Sequence, residues 1–152
     1  DSIRICPDDP RAVDRLKLKM TSYVLNAYLS TEGPPPNFVN AWKLASSSKT
    51  FVMFEVANAK ALDLTEDHVH CYQWFLKSNI LQGKVWDTIV GDVQVDRHGG
   101  MNYLPTNANE DRRIGGGGAN YLYADGHVEF IAETQISIWA NAPFNFALPP
   151  SN

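Results

Sequence analysis

Ala119-Asn-Tyr-Leu-Tyr-Ala-Asp-Gly-His-Val-Glu-Phe-Ile131 sets strand-forming residues on either side of an Asp-Gly pair, the pattern of a β-hairpin. A two-residue type I′ turn needs positive φ at both central positions, which Asp125 tolerates and Gly126 adopts without steric cost. Such a turn predicts Ala124 opposite His127 and Tyr123 opposite Val128. Tyr121, Tyr123, Val128 and Phe130 then share one face, suited to cover a core, while Asn120, Leu122, His127 and Glu129 share the other.

Working outward from the hairpin, β-branched and aromatic content predicts strands over 23–29, 50–57 and 91–96. In the second of these, Val52, Phe54 and Val56 share one face and Phe51 and Met53 the other, so it is expected at the centre of a sheet, covered on both sides. Asp63-Leu-Thr-Glu66 reads as a capping box, followed by Val69, Tyr72, Phe75 and Leu76 at helical spacing. Thr134 is positioned to cap a last helix with Ile136, Trp139 and Ala140 inward, ended by Asn141 and Pro143. Gly33-Pro-Pro-Pro36 marks a surface loop. The sum is an α+β domain, a mainly antiparallel β-sheet with a few short helices, and 152 residues with 44% apolar content suit one domain over 1–152.

Several segments carry a resemblance. Arg97-His98-Gly99-Gly100 followed by Ala119-Asn-Tyr-Leu-Tyr-Ala-Asp-Gly-His-Val128 resembles the prepilin-type processing-associated H-X9-DG domain, and Cys6-Pro-Asp-Asp-Pro10, Ser22-Tyr-Val-Leu-Asn26 and Lys49-Thr-Phe-Val-Met-Phe-Glu55 are similar to that family's other elements. The resemblance implies an exported, pilin-like or type II secretion pseudopilin-like protein, here its soluble head domain, working with protein partners in a filament or secretion assembly. Its place is then periplasmic, cell-surface or extracellular, with membrane attachment only through a long apolar N-terminal helix outside this sequence. It implies no catalysis and no cofactor. His98, Asn120, Asp125, Gly126 and His127 become structural motif residues, with a His98–Asp125 hydrogen bond pinning the preceding loop to the hairpin. One departure stands out: 26 residues separate His98 from Asp125 where the family has nine. The surplus falls in 101–118, a polar stretch ending in four glycines, expected as a flexible insertion. The glycines lack the Lys and Ser/Thr of a phosphate loop.

An exported protein with an even cysteine count favours a disulfide, so Cys6 and Cys71 are paired in this reading; their alternative is two buried small apolar side chains. The net charge of −4 and pI near 5.5 supply no basic stripe for nucleic acid. No apolar run reaches the length of a membrane helix.

Three chemistry-bearing clusters compete with the structural reading. His68, His70 and Cys71 have zinc-ligand character, but on a helix the two imidazoles point about 200° apart, and only a strand or loop sets them side by side. His98, Asp125 and His127 are the weak metal candidates of a metal-dependent hydrolase, provided that they converge around an ion in a cleft. Trp42 and Trp86, if coplanar and exposed, would form the platform of a carbohydrate- or surface-binding module.

Overall fold

The computed structural model describes residues 2–31, 33, 38–60, 62, 67–99, 116–142 and 144–151. A short helix α1 (Ala12–Lys17) precedes strands β1 (Tyr23–Asn26), β2 (Phe51–Glu55) and β3 (His68–Val69). Helices α2 (Lys77–Leu81) and α3 (Val85–Asp92) follow, then β4 (Gly118–Tyr123), β5 (Val128–Ala132) and α4 (Glu133–Asn141). The strands form one mixed sheet in the order β3-β1-β2-β4-β5. Its pairings are antiparallel except β1 with β3, which run parallel. The architecture is therefore α+β, with β2 central as its apolar composition requires.

One face of the sheet carries the core. Val24, Phe54, Tyr121 and Ile131 point into a buried cluster with Trp74, Ile89 of α3, Ile136 and Ala140 of α4, and Phe146. Phe51 joins it through edge-on contacts to Tyr121 and Phe146, with ring centroids 5.4 and 5.8 Å apart. Both Phe51 and Phe54 reach this side because the β2–β4 register shifts between Phe51 and Met53, an irregularity that breaks strict alternation.

The hairpin forms, in a different register. Leu122 pairs with Val128 and Tyr121 with Glu129; the Tyr123 N–H donates to the His127 carbonyl at 2.9 Å and the Gly126 N–H to the Tyr123 carbonyl at 3.0 Å. The loop thus has three residues, Ala124 to Gly126, and only Gly126 is left-handed, at φ +92°. Asp125 does not take the positive φ that a type I′ turn demands, and its carboxylate instead accepts from the His127 N–H at 3.2 Å, a local bond that Asp makes readily in turns. A one-residue change of register exchanges the faces of the second strand. Val128 and Phe130 accordingly leave the core face, 59% and 56% exposed, while Ile131 enters it.

Other expectations are corrected by long-range packing. The predicted strand 91–96 is instead the end of α3 followed by a single bridge between Val93 and Val56. Extended structure in 23–29 stops at Asn26, whose buried side chain accepts the Tyr28 N–H at 3.0 Å and starts a 3₁₀ turn. The proposed capping box at 63–66 lies outside the described residues, and the helix assigned after it is absent: His68–Val69 is a strand and Cys71–Gln73 a 3₁₀ turn. Ala132, not Thr134, is the N-cap of α4, though Ile136 and Ala140 face inward as read.

Most of the 101–118 segment also lies outside the described residues, but its end does not behave as loop. Gly118 opens β4, and a Cβ there would lie 2.6 Å from the Ile131 carbonyl oxygen and 2.5 Å from the Phe130 ring. His98 and Gly118 exchange both backbone hydrogen bonds, at 2.8 and 3.0 Å. The Cys6–Cys71 disulfide is not formed: both cysteines are free and buried, and the Cys71 thiol donates to Asn26 Oδ1 at 2.9 Å.

Candidate functional site

Glu55, the last residue of β2, points to the face opposite the core, the same side as Met53 and its cross-strand partner Tyr23. A carboxylate at the end of an apolar strand must find donors if it is buried, and Glu55 is 1% exposed. Its Oε2 accepts from Arg97 Nε at 3.0 Å, and its Oε1 from the Asn120 N–H at 3.1 Å and from His98 Nε2 at 2.8 Å. Arg97 in turn donates to Asn58 Oδ1 and to the Val56 carbonyl, both at 2.6 Å, and lies 3.5 Å from Asp9 Oδ1. Asp9 Oδ2 accepts from Arg15 Nε at 2.8 Å and from the Ser22 hydroxyl at 2.6 Å.

These contacts make one chain of alternating charge: Arg15, Asp9, Arg97, Glu55, His98, Asp8. Its first four members are buried. The sixth, Asp8, is half exposed and accepts from His98 Nδ1 at 2.6 Å. With a carboxylate oxygen against each ring nitrogen, His98 donates through both, which requires the imidazolium. Burial opposes that charge, but the hydrogen bond to Asp8 and the charge of Glu55 outweigh it and hold the pKa above the ordinary histidine value. Asp9 is likewise held below the usual carboxylate range, because Ser22, the Arg11 N–H and the two arginines overcome its desolvation. Cys6 completes the group. Its Sγ is 3.9 Å from His98 Nε2, and burial raises its pKa.

The site draws on every segment that carries the family resemblance: Cys6, Asp8 and Asp9 from the first, Ser22 from the second, Glu55 from the third, Arg97 and His98 from the fourth, and the Asn120 backbone from the hairpin. Sequence reasoning picked out His98 and missed its partners. Asp8, Asp9, Arg15, Glu55 and Arg97 are spread over 90 positions, and the only local signal was a charge set into or beside an apolar or turn-forming run.

The expected His98–Asp125 contact is not made. Asp125 and His127 form their own pair at the hairpin loop, Nδ1 to Oδ1 at 2.5 Å, with the His127 ring stacked on Tyr123 at 4.1 Å. The hydrogen bond to His127 lowers the Asp125 pKa. His98, Asp125 and His127 therefore do not converge around one ion. His68 and His70 are side by side after all, Nε2 to Nε2 at 3.1 Å, because β3 replaces the helix. Cys71 points away from them into the core. Of the tryptophans, Trp42 is 97% exposed but Trp86 packs against the core, so the exposed pair required for a sugar platform is not formed.

Beside the charged site, the same sheet face changes character. Leu25, Met53, Leu122 and Val128 are successive cross-strand partners, an apolar row running over four strands whose outer members are exposed. No described helix is long and apolar enough to cross a membrane. Comparison with protein-family models, with curated proteins and with solved structures finds no match to this chain, so it is on this geometry that a functional reading rests.

Proposed function

We propose that this chain is a non-catalytic structural module, the exported head domain of a pilin-like or pseudopilin-like assembly, and that the apolar half of its outer sheet face receives an apolar helix of that assembly. The observation that carries the reading is the Leu25–Met53–Leu122–Val128 row. It spans three interstrand spacings, about 14 Å, close to the roughly 10–12 Å diameter of a helix, and a sheet normally buries such a face under another element. The charged half of the face supports the same reading. Each carboxylate there is engaged by donors, and Cys6 is buried beside a histidine whose two nitrogens are both occupied, which is no arrangement for an activated nucleophile.

A photo-crosslinking residue in place of Phe130, introduced into the full-length protein in its producing cell, tests the proposal. The expected adduct contains the long apolar helix of a pilin-like chain, identified by mass spectrometry of the cross-linked peptide. The same residue in place of the exposed Asn141 should give none. A folded, exported protein that forms no adduct at 130, or forms one with a chain lacking such a helix, overturns the reading.

A further inference from the structure

We propose that Cys6, Glu55 and His98 are the protein ligands of a zinc ion that clasps the N-terminal segment, the central strand and the stretch before β4. The ligand atoms are Cys6 Sγ, Glu55 Oε1 and His98 Nε2, and all lie within 4.8 Å of one another. The closer pairs are 3.9 Å for sulfur to nitrogen and 2.8 Å for nitrogen to oxygen. Around a tetrahedral zinc the corresponding separations are about 3.5 and 3.3 Å from ordinary bond lengths, so the ring and the carboxylate need only small adjustments while the thiol moves in.

The ligand chemistry selects the metal. A thiolate, an imidazole and one carboxylate oxygen form a mixed soft and borderline set that suits zinc and its neighbours in the first transition row, and does not suit calcium or magnesium. The surrounding groups are those that orient such ligands. Asp8 accepts from His98 Nδ1 at 2.6 Å, which keeps a proton on Nδ1 and leaves Nε2 to coordinate once its own proton is displaced. Arg97 and the Asn120 N–H hold the Glu55 carboxylate in place from other directions. The thiolate and carboxylate together balance the dication, and water takes the fourth position from the side on which His98 is partly exposed.

Binding exchanges protons for the ion. Zinc displaces the Cys6 thiol proton and the His98 Nε2 proton, both released to solvent, and forms bonds to sulfur, nitrogen and oxygen without any change of oxidation state. The Nε2–H bond to Glu55 is lost and both atoms become ligands of the same ion.

The test uses the whole chain, stripped of metal and kept reduced, titrated with Zn²⁺ against a chromophoric chelator and separately with Co²⁺. The expected results are one equivalent of Zn²⁺ bound, release of close to two protons at slightly acid pH, a higher melting temperature, and a thiolate-to-cobalt charge-transfer band. Cys6→Ser and His98→Ala should each weaken binding by at least 100-fold, and Asp8→Asn by about 10- to 100-fold. Cys71→Ser should keep the band, and His68→Ala/His70→Ala should keep the tight equivalent. Zinc binding that follows His68 and His70, or no tight equivalent at all, overturns the proposal. If a ligand variant fails to fold, the wild-type cobalt spectrum still decides, since without a thiolate band the site is not as described.

Discussion

Two of the molecule's histidine–carboxylate groupings, those of His98 and His127, behave as opposites. His98 sits between Asp8 and Glu55 at the end of a chain of buried ion pairs, whereas His127 meets Asp125 two residues away on the hairpin loop. The first pair joins segments about 90 and 43 positions apart; the second is made entirely of local chain. The comparison teaches that a His and an Asp-Gly read together as one motif can serve two separate tasks, one fastening the sheet's outer face and the other shaping a turn.

Removing the centre of the buried chain should cost most. Arg97→Ala leaves Glu55 and Asp9 without their shared cation, and breaking a buried pair from one side typically costs about 3–5 kcal/mol. Urea unfolding should register that loss, and a cost under about 1 kcal/mol would mean that water reaches these carboxylates in the folded protein. His98→Ala in metal-free protein comes next, at about 1.5–3 kcal/mol for hydrogen bonds to charged groups. His127→Ala should leave the same unfolding curve nearly unmoved. Equal losses for the two histidines would erase the distinction drawn here.

Glycine substitutions probe the two regions through the backbone. Gly118→Ala must displace both the Ile131 carbonyl and the Phe130 ring, with an overpacking cost of about 1–3 kcal/mol. Gly126→Ala meets no neighbouring atom but places a side chain at φ +92°, for about 1 kcal/mol. A flexible insertion over 101–118 would make Gly118 the tolerant one of the two, and its place in β4 reverses that order. Melting temperatures of the two variants settle the order.

The smallest effect is the most discriminating, because its sign differs between the pairs. His98 has a raised pKa in the folded state, so its contribution is complete below about pH 6.5 and disappears as pH rises through the folded value. Asp125 has a lowered pKa, so its contribution is present above about pH 3.9 and disappears as pH falls through the folded value. In metal-free protein, the melting-temperature gap between wild type and His98→Ala should therefore close toward alkaline pH. Any gap for Asp125→Ala should close toward acid pH. Two gaps that close in the same direction would contradict the assignment of partners.

The sequence announced some of this and concealed the rest for physical reasons. The centrality of β2 was legible in the nearly unbroken apolar run Phe51 to Phe54, but its cover on both sides was not borne out: the core lies on one face, and Met53 belongs to the apolar row on the other. The inward face of α4 was legible from the spacing of Ile136 and Ala140. The hairpin was legible as a hairpin, but its register depended on whether Asp125 would take positive φ, and that choice moved Phe130 from core to surface. β3 was hidden because two residues joined in parallel to β1 leave no periodicity to read. The charged site was hidden most completely. Each of its bonds closes over a long span, and nothing in the spacing of Asp9, Glu55 and Arg97 encodes their meeting.

The paired backbone hydrogen bonds between His98 and Gly118 form a closed neck. Chain that leaves and re-enters a fold through such a neck affects stability mainly through the entropy of closing its ends, which grows by only about 0.6 kcal/mol for each doubling of length. Extra residues between the two ends of this neck, His98 and Gly118, should therefore cost the fold little. A foreign peptide spliced between residues 99 and 117 should be carried on this protein as cargo, so that the point at which the chain departs most from the H-X9-DG spacing is also its natural port for display.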